Sequence, residues 1–153
     1  MQVLSRVPPH KSCDGGMTVV AIVGSRKLSG DQRDTATWLV DLIITSWKLK
    51  AISFGKYSPL DLKFISGGAP GVDSIARKLV EQSCGAYFFE ELRPTAPHWE
   101  GPGGLKERNQ QIVERADYLY CIQSRDAETY DSGWTYNYAV RQLGREFARR
   151  LWV

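Results

Sequence analysis

Three glycine-bearing segments carry the residue types that hold phosphate. Gly24-Ser25-Arg26 ends a β-branched run, and Ser66-Gly67-Gly68-Ala69-Pro70-Gly71-Val72-Asp73 joins a second apolar run to a helical pattern. Ser132-Gly133-Trp134-Thr135 opens another helix. Glycine lets a ligand approach the backbone and leaves amide N–H groups available. A helix N-terminus adds roughly half a positive charge, so an anion suits it. Arg26 directly follows its strand, where a guanidinium can pair bidentately with phosphate or remain a solvated charge. Asp73 falls in the first turns of its helix, where the dipole stabilises a carboxylate. The same carboxylate can instead bind a ribose hydroxyl. For each glycine a tight strand-to-helix turn is the simpler alternative. Three such loops at one end of a sheet exceed what turn chemistry requires.

Other candidates are thinner. Arg108-Asn109 sits in a helical stretch, where such a pair ordinarily reads as exposed surface. Trp99, in a Pro- and Gly-rich segment, is either a core plug or a platform for a base. His98 has one companion, His10, so no zinc site is supported. No G-x-S-x-G elbow backs a serine nucleophile, and no Lys-Ser or Lys-Thr follows the glycines as a Walker loop requires.

The elements that must position these residues alternate. Thr18–Gly24 reads as a strand buried on both faces. A helix over about 31–49 follows, capped by Ser29 or Asp31. Its apolar residues Trp38, Leu39, Val40, Leu42, Ile43, Ile44 and Trp47 cover more than one stripe, which predicts packing on two sides, the second against another subunit. Residues 50–61 read as a loop and Leu62–Ser66 as the second strand. A helix with Pro70 in its first turn then runs to Ser83, closed by Gly85. Ala86–Glu90 is the third strand, 105–116 a helix, Asp117–Gln123 the fourth strand and Ser124–Asp131 a polar loop. A helix over Gly133–Leu143, stopped by Gly144, leads to an edge strand in the tail. This order predicts an α/β fold: a Rossmann-like, doubly wound, mostly parallel sheet of about five strands with helices on both faces. Ligands of such sheets sit beyond the carboxyl ends of the strands, where strand order reverses.

The chain has 153 residues, 42% hydrophobic and 24% charged, with a formal net charge of +3. The expectation is one globular domain over 17–153 behind a flexible leader, 1–16, with Met17 as an alternative start. The weak positive charge suits an anionic small molecule better than a nucleic-acid stripe. No apolar run approaches the ~20 residues of a membrane helix, and the N-terminus lacks a signal-peptide core. Three cysteines, Cys13, Cys84 and Cys121, form no C-x-x-C pair. They read as inert thiols of a reducing cytoplasm.

Taken together, GSR after the first strand, SGGAPGVDSIA, W-x-G-P-G-G, RN-x-x-I with a following AD, and SGWTYNYA resemble the SLOG superfamily, which joins SMF/DprA to LOG proteins. The resemblance spans roughly residues 18–147. It implies a Rossmann-like fold binding a nucleotide or nucleotide-derived ligand; no cofactor is expected, with Mg possible only alongside a phosphate ligand. The implied pocket residues are Gly24, Ser25, Arg26, Ser66, Gly67, Gly68, Asp73, Arg108, Asn109, Gly133 and Thr135, and Trp99 or Trp134 would cover the base. LOG enzymes split nucleoside monophosphates by an N-glycosidic hydrolysis and carry P-G-G-x-G-T-x-x-E. Here Asn137 and Tyr138 stand where the acidic residues fall, and neither supplies charge to an oxocarbenium-like transition state. Glu90 and Glu91 could substitute if they reach the pocket, a solvated loop being the plainer reading. DprA-type proteins bind single-stranded DNA and share the SG-to-GRE helix, although they carry extra domains. The expectation is therefore a cytoplasmic, homodimeric nucleotide sensor or carrier, with cleavage and single-strand binding as alternatives.

Overall fold

A computed structural model of the chain describes residues 17–53, 61–126 and 130–153. The expected leader with Cys13, most of the expected 50–61 loop and the tip of the Ser124–Asp131 loop lie outside the described residues. The elements run β1 (Thr18–Gly24), α1 (Gly30–Ser53), β2 (Leu62–Ser66), α2 (Val72–Ser83), β3 (Phe89–Glu91), α3 (Leu105–Arg115), β4 (Tyr118–Gln123), α4 (Tyr130–Leu143) and β5 (Ala148–Trp152). The five strands form one parallel sheet in the order β3-β2-β1-β4-β5. The chain winds outward from β1 to β3, then returns to place β4 on the other side of β1. The reversal point therefore lies between β1 and β4.

Side-chain parity assigns the helices to faces. Trp47 of α1 packs its ring 4.6 Å from that of Tyr118 and donates its indole N–H to the Tyr120 hydroxyl at 3.0 Å. Ser132 of α4 instead meets Cys121 and Gln123. These two sets alternate along β4, so α1 and α4 cover opposite faces. Helix α2 packs with α1, and α3 with α4, which completes a doubly wound sandwich. The central strand is buried throughout Val19–Val23, as its β-branched run demands. Among the described residues no helix is long and apolar enough to cross a membrane.

Several boundaries differ from expectation. Ala86–Phe88 is a 3-10 turn started at Gly85, so β3 begins only at Phe89 and continues to Glu91. Pro70 lies outside α2, because Gly71 is the N-cap residue and takes φ 82°, ψ −128°, a conformation no helix continues through. Helix α4 starts at Tyr130, ahead of Gly133, and Ser132 in its first turn is already buried against β4. Asp117 precedes β4: its carboxylate accepts the Val19 N–H at 2.8 Å and its own N–H donates to the Val19 carbonyl. This residue thus fastens β4 to β1 at the amino edge. Gly144, at φ 94°, stops α4 as expected, its N–H bonding the Val140 carbonyl.

Helix α1 buries Ala36, Val40, Ile43, Ile44 and Trp47, yet Trp38, Leu42 and Leu49 stay exposed. At 3.6 residues per turn those three fall within about 40° of one another, a single apolar stripe.

The carboxyl-edge loops are tied together by backbone. Ser25 N–H reaches the Ile122 carbonyl, its hydroxyl accepts the Ser124 N–H at 2.9 Å, and its carbonyl accepts the Val72 N–H at 3.1 Å. Gly71 makes the last contact possible: a Cβ there would stand 2.2 Å from the Ser25 carbonyl oxygen. Gly71→Ala is therefore expected to lower stability by about 2–4 kcal/mol, combining left-handed strain with the clash. Denaturant unfolding checks this; a loss below about 0.5 kcal/mol, the range of neutral surface changes, would show that the two loops part without cost.

Candidate functional site

The loops at the carboxyl edge enclose a cleft of about 550 Å³, lined by Arg26, Gly68, Arg77, Glu91, Arg93 and Arg108 among others. That volume falls within the roughly 300–1,000 Å³ of small-molecule sites. Behind it lies an inner pocket of about 20 Å³, bordered by Gly24, Asp73, Arg108, Asn109, Ser132 and Thr135. Arg26, Ala69 and Arg108 line both spaces, so the two adjoin.

Asp73 and Arg108, both buried, meet over Gly67. A Cβ on Gly67 would lie 2.6 Å from Arg108 Nη1 and 2.7 Å from Asp73 Oδ2, so only glycine lets the two groups close over the chain. Arg108 donates from Nε to Asn109 Oδ1 at 2.7 Å and from Nη1 to the Leu92 carbonyl at 3.2 Å. It thereby pins the start of the 92–104 loop. Asp73 Oδ2 accepts the Ala69 N–H at 3.3 Å. Its Oδ1 is buried with no hydrogen-bond partner among the described residues. Burial raises the Asp73 carboxyl to about 6, with Arg108, the Ala69 N–H, Ser66 and Arg26 pulling the other way.

The structure sorts the expected site residues. Gly24, Arg26, Asp73, Arg108, Asn109 and Thr135 border the inner pocket, and Gly68 lines the cleft. Arg108 and Asn109 are buried, contrary to the exposed-surface reading of an Arg-Asn pair. Ser25 and Ser66 tie strands instead: the Ser66 hydroxyl donates to the Ile22 carbonyl. Gly133 is in the first turn of α4 and borders neither space. Trp99 packs edge-on against Trp134, 5.5 Å between ring centroids, and Trp134 stacks on Tyr138 at 5.1 Å. The Trp99 carbonyl accepts the Lys106 N–H, so this tryptophan clips its loop to α3 and α4.

The two glutamates part company. Glu90 pairs with Lys63 at 2.9 Å and with both terminal nitrogens of Arg115, whose hydrogen bonds hold its carboxyl down at about 2. It lines neither space. Glu91 does line the cleft, between Arg77 and Arg93. Sequence reasoning missed Arg77 and Arg93, whereas Ser132, which borders the inner pocket, belongs to the third glycine-bearing segment. Arg77 was legible in principle, since it lies four residues after Asp73 on the same helix face.

Cys121 is buried and its thiol is pushed up to about 12, and burial also raises Cys84. Both fit unreactive thiols. Among the described residues no three His, Cys, Asp or Glu side chains gather as a metal site. Comparison with known family models and with curated proteins found no match to this chain.

The Asp73 carboxyl makes stability pH-dependent. Its folded value lies above the ordinary one of 3.8, so the folded protein holds the extra proton between about pH 4 and 6. Stability falls as pH rises through that window, by on the order of 3 kcal/mol from this group. Asp73→Asn removes the titration. Unfolding curves at pH 4 to 7 should move in favour of the variant, relative to wild type, as pH rises; parallel pH profiles would show that Asp73 ionises normally.

Proposed function

We propose that the cleft binds a nucleotide or a nucleotide-derived ligand bearing phosphate, and that the chain is a SLOG-type sensor or carrier domain. The observation that carries this reading is the company of charges at one sheet edge. Four arginines line the cleft beside a bare Gly68 backbone, and a buried carboxylate with an oxygen to spare lies just behind. Guanidiniums and backbone N–H groups at the start of α2 suit phosphate. Asp73 Oδ1 suits a hydroxyl donor, such as one hydroxyl of a ribose, and the inner pocket has room for one such group.

Binding without cleavage is the preferred form of this reading. Glu91 has both oxygens engaged by guanidiniums, Glu90 faces Lys63 and Arg115, and Asn137 is exposed on α4. Thermal unfolding against mononucleotides, ADP-ribose, NAD and a single-stranded oligonucleotide tests it. A ligand at 100 times its Kd adds about 2.7 kcal/mol, a shift of several degrees. A small nucleotide is expected to give that shift and Arg26→Ala to abolish it. No shift, or an undiminished one in the variant, refutes the pocket. A shift from the oligonucleotide alone, lost in salt, favours DNA binding instead. Release of free base on incubation moves the reading to N-glycosidic cleavage.

We infer also that the Trp38, Leu42 and Leu49 stripe is covered by a second copy of the chain. Sedimentation at high protein concentration should give twice the chain mass, and Leu42→Glu should restore the monomer. A monomeric wild type ends this inference.

A further inference from the structure

The arginines of the cleft fall into two groups. Arg26 and Arg108 border the inner pocket as well as the cleft, whereas Arg77 and Arg93 border the cleft alone. The second pair converges on one carboxylate. Arg77 Nη1 of α2 lies 3.3 Å from Glu91 Oε1, and Arg93 Nε from the following loop contacts Oε2. That carboxylate is seated over the second glycine of the turn: a Cβ on Gly68 would stand 2.8 Å from Oε2. The Glu91 side chain is 15% exposed although it lines an open cleft, while its partner Arg93 is 73% exposed. An anion gripped by two guanidiniums against a side-chain-free backbone is how proteins commonly seat phosphate.

We propose that Arg77 and Arg93 form a second anion seat, filled by Glu91 as a built-in stand-in, and that a phosphate of the ligand displaces that carboxylate. The inference rests on the cleft being a nucleotide site, and it narrows the ligand to one with two linked phosphates. One phosphate lies toward Arg26 and Arg108, the other between Arg77 and Arg93. A phosphate group offers more acceptor oxygens and more charge than a carboxylate, so it wins the exchange where a weaker anion does not. Arg77 keeps a second hold from Glu81, 3.4 Å away and one turn on, after Glu91 leaves. Glu91 is thus a specificity residue that sets the charge a ligand must bring.

Calorimetric titration with inorganic pyrophosphate tests the seat on wild type, Glu91→Gln and, as a control of equal charge, Glu90→Gln. Glu91→Gln is expected to bind pyrophosphate about tenfold more tightly, the scale of one charged hydrogen bond released from an internal competitor. The gain should vanish in the Glu91→Gln/Arg93→Gln double variant and be absent in Glu90→Gln. Glu91→Ser repeats the test if the amide variant folds poorly. Equal, weaker or undetectable binding by both Glu91 variants overturns the seat and makes Glu91 a brace for the arginines. Titration with AMP and ADP separates the two proposals. Nucleotide binding by wild type without a pyrophosphate gain in the variants spares the nucleotide site and removes the second seat. A pyrophosphate gain without nucleotide binding does the reverse.

Discussion

Two opposite charges, Asp73 and Arg108, are taken out of water and set against the backbone of Gly67, and the carboxyl edge is organised around that meeting. Removing ions from water costs several kcal/mol each, and the cost is recovered only with close geometry and further hydrogen bonds. The surroundings supply them. Asn109 holds the Arg108 Nε, the Leu92 carbonyl takes Nη1, and the Ala69 N–H reaches Asp73. Because Arg108 rides on α3 and Asp73 on α2, the pair joins helices from opposite faces of the sheet at its open end. The 92–104 loop, and with it one wall of the cleft, is anchored through the same guanidinium.

The fold was largely legible because its signals are local. The β-branched run at Thr18–Gly24 and the LKFIS stretch mark β1 and β2 at the observed bounds, and Gly85 and Gly144 end their helices through positive φ. Where the reading slipped, tertiary contacts decided. Ala86–Phe88 has the composition of a strand, yet Gly85 turns the chain and delays sheet pairing until Phe89 pairs with Phe64. Gly133 does not mark the start of α4, since the helix gains its burial from Ser132 one residue earlier.

The site was less legible, for a different reason. The α3 sequence LKERNQQIVER is mostly polar, and composition alone puts Arg108 in solvent. It is buried where it meets Gly67, the Leu92 carbonyl and the neighbourhood of Asp73, all distant in sequence, and nothing in the local pattern encodes that. Periodicity gave no reason to take Arg108 out of solvent; it stood among the expected pocket residues only through the resemblance to SLOG motifs. Glu90 and Glu91 show a second limit. Adjacent residues on a strand point to opposite faces, so one of the two had to miss the cleft. Which one depends on the register of β3, in which Ile65 pairs with Glu90 and Ser66 with Glu91. That register is fixed by the late start of β3, the very boundary the sequence misplaces.

Charge compensation explains why a carboxylate faces Arg108, but it does not explain the oxygen left over. Asp73 Oδ1 is buried with no hydrogen-bond partner among the described residues, whereas the neighbouring Glu91 carboxylate has both oxygens engaged by arginines. An orphaned buried acceptor costs about 1–3 kcal/mol, more where the group is charged. The neighbours of Asp73 on α2, Val72, Ile75 and Ala76, are buried and apolar and offer Oδ1 no donor, so compensation of Arg108 alone leaves this acceptor unsatisfied. The carboxyl responds by holding its proton up to about pH 6, which lessens the cost and does not remove it. Under the proposed function, a donor arriving from the cleft would remove it. On the proposed reading the stability withheld at Asp73 would be returned on binding, and the cost of this carboxylate would be tied to the ligand rather than to the fold.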